Sequence, residues 1–511
     1  MDVPRLPGTA RLGFARRRDL VLGSLLDRLA ELNGDRLLVE EPGGVRWTYV
    51  EAAARVRRWS GAVAAKVEPG DRVVIATHNG YDQLLACLAV SRAGALPVPI
   101  NPQLTPSEVD HVIADSDASL VVRDTDVLDD SSARPPDEAV AAEPGAVAAL
   151  FYTSGTTGAP KGVELTHRAL VGEVGRVAAL PPAVLRLDAV LGLPVAHIMG
   201  FYVLVAFACA GIPVYLLPRF NPVTVLDAIE DRRPSIFVGV PAMYRMLLEA
   251  GAEDRDLSSI RAWGSGADAM PPELALRFKR MGATATLPVI GRPIGQATFV
   301  EGYGMVETGG GAVLKVSPPG INRGMGSTAL GFPLPGYRLR VLDPDTGKPA
   351  GTGHSGELVL RGPGVTTGYW GDEAASRDVM TDDGWLRTGD LARLGPLGTV
   401  VFEGRAKDVV KRGGYSIYAL EVERAIETHP DVLEAAVVAV PDERMGEVPG
   451  AAVRLRAGVE LDEAALAAHA SEHLAAYKVP VRWLVVDDLP RTATEKVRKH
   501  ELLSRFTAPN A

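Results

Sequence analysis

Short apolar runs rich in β-branched residues alternate with Ala- and Leu-rich amphipathic stretches through most of this chain, and that rhythm constrains its fold more than any other feature. Arg72-Val-Val-Ile-Ala-Thr77, Ser119-Leu-Val-Val122 and Ser235-Ile-Phe-Val-Gly239 read as buried strands, and residues 81–93 read as a helix. Strands separated by helices pair in parallel, so the expected class is α/β, with layers around largely parallel sheets. From about residue 331 the texture changes to short alternating strands between glycine turns, as in Tyr337-Arg-Leu-Arg-Val-Leu342 and Gly356-Glu-Leu-Val-Leu-Arg361. This predicts a small β subdomain over about 331–403. After Gly404-Arg-Ala-Lys-Asp408, residues 419–428 read as a helix, 432–440 as a strand and 461–476 as a helix. The expected layout is an N-terminal domain 1–406 and a small α+β C-terminal domain 407–511.

Composition narrows the function. A chain of 511 residues, 47% hydrophobic and 23% charged, has the make-up of a globular enzyme. Its 54 Lys and Arg against 63 Asp and Glu leave a net charge of −9, with no basic field for a nucleic acid. Cys87 and Cys209 sit in apolar runs without metal or redox spacing, and read as buried packing residues of a cytoplasmic protein. Arg16, Arg17 and Arg18 are not followed by an apolar segment long enough for a signal peptide. The longest apolar run, 201–217, contains Gly211 and Pro213 and reads as a buried helix entering a strand rather than a membrane span. Residues 129–145, rich in Asp, Ala, Pro and Glu, read as a surface connection.

The sharpest chemical signal is Tyr152-Thr-Ser-Gly-Thr-Thr-Gly-Ala-Pro-Lys-Gly162, between an apolar run at 146–151 and a helix-like segment from His167. Hydroxyls, free glycine N–H groups and one lysine suit a polyphosphate, and the spacing is not that of GxxxxGK[ST]. A polar turn would rarely gather this set. In Glu301-Gly-Tyr-Gly-Met-Val-Glu-Thr-Gly-Gly310 the ring could stack on a base and Glu307 could hold Mg²⁺, although glycines around a tyrosine also mark tight strand ends. In Gly384-Trp-Leu-Arg-Thr-Gly-Asp-Leu391, Asp390 could accept two ribose hydroxyls or simply close a turn. Lys407, Lys411 and Arg412 beside Gly413-Gly414, and the basic segment Pro490-Arg-Thr-Ala-Thr-Glu-Lys-Val-Arg-Lys-His500, read alone as solvated loops.

Taken in order, these motifs resemble the adenylate-forming superfamily of acyl-CoA synthetases, luciferases and peptide-synthetase adenylation domains. Val240-Pro-Ala-Met-Tyr244, Gly264-Ser-Gly-Ala-Asp268, Gly356-Glu-Leu-Val-Leu-Arg-Gly362 and Gly368-Tyr-Trp370 extend the resemblance over nearly the whole chain. The resemblance implies that Thr153, Ser154, Gly155, Thr156, Thr157, Gly158 and Lys161 hold the β- and γ-phosphates of ATP. It implies that Gly302, Tyr303, Gly304, Met305 and Val306 receive adenine, with Tyr303 stacked on the ring. Glu307 and Thr157 would bind Mg²⁺, Asp390 the ribose, and Arg405 a further part of the nucleotide. Lys496 would reach the carboxylate and α-phosphate, and His197 would lie beside the acyl group. Gly413 and Gly414 would border the tunnel for coenzyme A. Lys407 matches the hinge about which the mobile C-terminal domain swings between adenylation and thioester formation.

Two positions depart from the family pattern. Val306 replaces a threonine whose hydroxyl contacts the α-phosphate, a loss of about 1.5–3 kcal/mol for a charge-assisted bond. Glu495 replaces the glycine before the catalytic lysine, stiffening the loop and bringing negative charge towards phosphates. The expected function is AMP-forming acyl-CoA ligation. One alternative is an enzyme confined to thioester formation, supplied with acyl-adenylate by a partner adenylating enzyme; another is a non-catalytic adenylate-binding protein. Ile198, Met199, Phe201, Val238, Gly239 and Ala267 beside His197 make a largely apolar substrate lining. They favour a hydrophobic monocarboxylic acid, whether fatty, aromatic or polycyclic. The stretch 287–296 looks long for the approach to Tyr303.

Overall fold

The computed structural model describes residues 7–130, 132–153, 160–179, 187–286, 292–321, 329–344, 346–395, 399–456, 458–459, 462–492 and 495–507. Contacts divide the chain into two compact units. Met1–Gly324, Gly331–Arg338 and Arg361–Gly384 form the first, and Met325–Leu330, Leu339–Leu360 and Trp385–Ala511 form the second.

In the first unit six strands run in parallel, in the order Thr298–Met305, Ala262–Ser265, Ile236–Gly239, Ala189–Leu191, Val214–Leu216 and Leu37–Glu40. Gly310–Ser317 and Arg46–Thr48 continue this sheet antiparallel on either side. Phe237, Tyr244, Trp263, Phe278 and Phe299 are fully buried and pack largely edge to face, tying three strands to the helices Pro241–Glu249 and Pro272–Met281. Each such pair adds about 0.5–1.5 kcal/mol beyond the area it buries. The apolar run at 201–217 is a buried helix, Ile198–Ala210, closed by Gly211 at φ +74° and followed by the strand Val214–Leu216, as its residues imply. A smaller parallel sheet joins Leu96–Pro99, Arg72–Ile75 and Ala118–Val122. Cys87 and Cys209 are free and fully buried, and burial pushes the Cys209 thiol up to about 12, so neither is a ready nucleophile.

The hydroxyl-rich segment corrects the strand-to-helix reading. Val147–Thr153 pairs antiparallel with Lys161–Thr166, and Thr153 lies directly opposite Lys161. Residues 154–159 therefore connect two strands of a hairpin, and no helix N-terminus follows them directly. Gly162, Val163, Leu165 and Thr166 of this strand are buried, while Lys161 is exposed and Glu164 half-buried. After His167 the chain makes one wide helical turn, Arg168–Gly172, and then a tight one, Val174–Ala179.

The second unit carries the β-rich texture expected after 331. Arg338–Leu342, Ser355–Arg361, Leu386–Leu394 and Val400–Arg405 lie side by side. A further sheet runs Tyr415–Tyr418, Val409–Arg412, Gly446–Leu455 and Val432–Asp442, with Arg482–Val485 parallel to Gly446–Leu455. Helices Ala419–Ile426 and Glu463–His473 cover it, burying Val422, Ile426, Leu466 and Ala470. The second helix is shorter than the span 461–476. Asp462 caps its start by accepting the Ala465 N–H at 2.7 Å, and Leu474 leaves helical geometry at φ −126°.

Candidate active site

Gly239, Ser265 and Glu301 are register neighbours across three parallel strands. The carboxyl ends of such strands are where open α/β sheets receive ligands. Around these ends Leu193, Val240, Ala242 and Met243 pack with Met199, Phe220, Val238 and Ala267. Met199, Val238 and Ala267, expected in a substrate lining, are thus brought together. A Cβ at Gly266 would lie 3.2 Å from the Gly302 carbonyl oxygen and 3.4 Å from Met199 Cε, so this turn joins the apolar group to the strand bearing Tyr303. Ala267 adopts φ +68°, a left-handed conformation that strains an L-residue by about 1–2 kcal/mol.

Ile198 and Phe201 lie on another face of the same helix. Both are buried in the main core, Phe201 edge to face with Phe151 at 5.3 Å. His197 caps that helix, its Nδ1 accepting the Met199 N–H at 3.3 Å.

Tyr303 and Gly304 sit at a register shift between Thr298–Met305 and Gly310–Ser317. A Cβ on Gly304 would come within 1.7 Å of the Gly310 carbonyl oxygen, so only glycine fits there. Val306 is half-buried against the main core. Next to it, Glu307 Oε1 accepts a hydrogen bond from the Tyr369 hydroxyl at 2.9 Å. Burial and the Glu307 charge push that hydroxyl's pKa up, so it stays a donor. Lys161 Nζ lies 2.9 Å from Asp372 Oδ2 and 5.5 Å from the Tyr369 ring centre. Tyr369 therefore stands between the lysine of the hydroxyl-rich hairpin and the expected metal ligand. Sequence reasoning gives neither Tyr369 nor Asp372 a role; Gly368-Tyr-Trp370 is the only signal near them. Ser154, Gly155, Thr156, Thr157 and Gly158 lie outside the described residues, as do 287–291 of the long approach to Tyr303.

In the second unit Asp390 and Arg405 are cross-strand partners, with Asp390 Oδ1 at 3.2 Å from Arg405 Nε and its side chain 4% exposed. Lys407 follows in a short turn, Ala406–Asp408, where burial and Arg405 depress its ammonium pKa. Asp408 is held 3.3 Å from Lys499 Nζ, which is itself 2.7 Å from Glu423. Burial disfavours the Lys499 charge, but Glu423 and Asp408 outweigh it and raise its pKa. Gly413 and Gly414, at φ +53° and +88°, form the two-residue turn between the paired Arg412 and Tyr415. Two successive positive φ values match a hairpin's twist and call for glycine.

The Lys496 N–H donates to Thr492 Oγ1 at 3.2 Å. Glu495 takes φ +64°, a conformation natural to the glycine it replaces. Its carboxylate lies 3.9 Å from Arg491 Nε, Arg491 Nη1 donates to its carbonyl at 3.1 Å, and Arg491 also pairs with buried Glu434. Burial raises the Glu495 pKa, with Arg491 opposing.

An open parallel sheet with apolar side chains at its strand ends, a lysine-bearing hairpin and a carboxylate held beside it is the ground plan of a nucleotide-dependent enzyme. Residues 26–370 match the AMP-binding enzyme family and residues 421–496 the AMP-binding enzyme C-terminal domain, and the chain belongs to this adenylate-forming family. It is 34% identical to feruloyl-CoA synthase of an Amycolatopsis species, over 96% of this chain and 100% of that protein. It is 33% identical to the 3-[(3aS,4S,7aS)-7a-methyl-1,5-dioxo-octahydro-1H-inden-4-yl]propanoyl:CoA ligase of Mycobacterium tuberculosis, over 93% and 97%. Among solved structures, ATP-bound MatB from Rhodopseudomonas palustris shares 28% identity over 95% of this chain and 99% of that one, at a TM-score of 0.83. The o-succinylbenzoate CoA synthetase of Bacillus subtilis with its acyl-adenylate shares 27% over 94% and 97%, at 0.80. The chain is thus an acid–thiol ligase working through an acyl-adenylate with ATP and CoA. Among the described residues no helix is long and apolar enough to cross a membrane.

Proposed function

We propose that this ligase activates a hydrophobic monocarboxylic acid in the cytoplasm. The observation that carries the reading is the apolar group Leu193, Met199, Val238, Val240, Met243 and Ala267 at the strand ends beside Tyr303. An acid with an extended apolar body gains about 25 cal/mol for each Å² it buries there. Relatives named for feruloyl-CoA and long-chain-fatty-acid–CoA formation support the same class.

In the first unit, Thr153 and Lys161, with Ser154, Gly155, Thr156, Thr157 and Gly158 between them, hold the β- and γ-phosphates. Gly302, Tyr303, Gly304, Met305 and Val306 receive adenine, and His197 borders the acyl group. In the second unit, Asp390 takes the ribose with Arg405 beside it, Lys496 contacts the carboxylate and α-phosphate, and Gly413 and Gly414 border the thiol's approach.

Glu307 suits Mg²⁺: it is a hard oxygen ligand, and Tyr369 fixes one of its oxygens while the other faces no partner among the described residues. Glu307 and Thr157 would hold Mg²⁺, which would neutralise phosphate charge there. The acid's carboxylate oxygen bonds to the α-phosphorus as the bond to pyrophosphate breaks. The thiol sulfur then bonds to the acyl carbon, losing its proton, and AMP departs with the electron pair of the broken C–O bond.

We place the hinge of the domain motion at Lys407 on the family resemblance, and its flanking anchors both lie inside the second compact unit. Arg405 is tied to Asp390, and Asp408 is tied through Lys499 to the Ala419–Ile426 helix. Only Ala406 and Lys407 lie between them.

A second reading, thioester formation from a supplied adenylate, draws on Val306, which puts an apolar side chain where the family has a hydroxyl. The Glu495 carboxylate, drawn to Arg491, favours the two-step enzyme.

The test compares pyrophosphate release from ATP and a panel of hydroxycinnamic, fatty and polycyclic acids with thioester formation from the matching acyl-adenylates. The two-step ligase gives both. Thioester without pyrophosphate establishes the second reading, and neither product from any member of the panel refutes the hydrophobic-acid assignment.

A further inference from the structure

Three imidazoles of the second unit, His429, His469 and His473, lie together and are not used by the ligase chemistry. His469 and His473 sit one turn apart at the end of the helix Glu463–His473, with ring centres 4.6 Å apart. Positions i and i+4 face the same way on a helix, and Glu472, at i+3 from His469, borders that face. One ligand atom from each of His469, Glu472 and His473 lies within 4.8 Å of the other two. Metal ligation needs neutral imidazoles with a lone pair directed at the ion.

The hydrogen bonds set the tautomers. Thr428 donates its hydroxyl proton to the Ala425 carbonyl at 2.6 Å, so at 2.9 Å its oxygen accepts from His469 Nε2–H. The His469 proton is thereby on Nε2, and Nδ1 keeps its lone pair. His473 Nδ1 donates to the His469 carbonyl at 3.0 Å, leaving Nε2 of that ring as the base. Each ring spends its one proton on the protein, the arrangement by which metalloproteins orient histidine ligands. His429 stacks edge to face on His469 at 4.9 Å, but its Nδ1 accepts the Asp431 N–H at 3.2 Å, so it serves as a wall and not a ligand.

We propose that His469 Nδ1, His473 Nε2 and the Glu472 carboxylate form a surface site for one borderline divalent transition-metal ion, such as Zn²⁺, with solvent completing the shell. Two imidazoles and one carboxylate select Zn²⁺, Ni²⁺ or Co²⁺ over Mg²⁺ and Ca²⁺, which prefer all-oxygen shells. The site is separate from the Mg²⁺ assigned to Glu307.

The test is isothermal titration of untagged, chelator-treated full chain with Zn²⁺, and its titration with Co²⁺ followed by visible absorption. One ion per chain is expected, lost in the His469→Asn/His473→Gln double variant. Thr428→Val should weaken binding by less than about tenfold, since the Ala425 carbonyl, 3.3 Å from His469 Nε2, still accepts that proton and holds the same tautomer. Because these side chains lie at or near the surface, circular dichroism should show the variants folded. Absence of binding, or binding unchanged in the double variant, overturns the proposal.

Discussion

Tyr369→Phe removes one oxygen and leaves the ring beneath Lys161 in place. What it deletes is the 2.9 Å hydrogen bond to Glu307 Oε1. Hydrogen bonds to charged groups contribute about 1.5–3 kcal/mol when dry, and both side chains here are only half-buried, so the lower bound of about 1.5 kcal/mol applies. The loss falls on the orientation of a carboxylate whose other oxygen is the proposed Mg²⁺ ligand. It therefore predicts about tenfold weaker Mg²⁺ binding, at the low end for an outer-shell substitution. The assay is pyrophosphate release at fixed ATP with Mg²⁺ varied. The Mg²⁺ concentration for half-maximal rate should rise about tenfold, with the saturated rate within threefold of the parent. A saturated rate that falls while the Mg²⁺ requirement stays put would refute the reasoning, because Tyr369 would then act on the reacting groups and not through Glu307.

Glu495→Gly should leave the chain equally stable or up to about 1 kcal/mol more so in urea unfolding, since relief of the left-handed backbone offsets the freer unfolded chain. Its pyrophosphate release should change less than about threefold; a rise of tenfold or more would support the thioester-only reading. Gly304→Ala, which sets a methyl group against the Gly310 carbonyl, should lose about 3 kcal/mol or more, seen as a lower Tm or insoluble protein. His167 is buried, accepts the Leu22 N–H at 3.0 Å, and is held by burial at a pKa of about 4 against 6.5. The unfolded chain protonates this ring below pH 6.5 while the folded chain refuses the proton until about 4. Stability should drop across that window by about 3 kcal/mol from this group alone. In His167→Gln, denaturant midpoints at pH 7 and pH 4.5 should lie correspondingly closer together than in the parent.

The sequence was informative where a segment's own pattern decides its structure. The parallel strands, the helix at 198–210 with its glycine cap and the β-rich texture after 331 all arise from periodicity and turn chemistry. It failed where a partner decides. Lys161–Thr166 begins with a lysine and a glycine and looks like loop until Val147–Thr153 lies beside it. The helix Ile198–Ala210 is apolar on every side, so no period separates Met199, at the strand ends, from Ile198 and Phe201 in the core. Tyr369 and Asp372 meet Glu307 and Lys161 across separations of 62 and 211 residues, which no local pattern records. Glu495 was legible as a departure from the family, but its engagement with Arg491 required the fold.

If the chain hinges at Lys407 as proposed, the anchors around it also bear on the rate at which two successive reactions can share one protein. Arg405 belongs to a strand and Asp408 to an ion pair with the C-terminal helix, so roughly four backbone torsions remain to be turned between them. A long linker would let Lys496 and the Gly413–Gly414 turn wander, diluting each through the volume its leash could reach. Under that proposal a two-residue joint would keep the effective concentration of both groups high and make their exchange a switch between torsional wells.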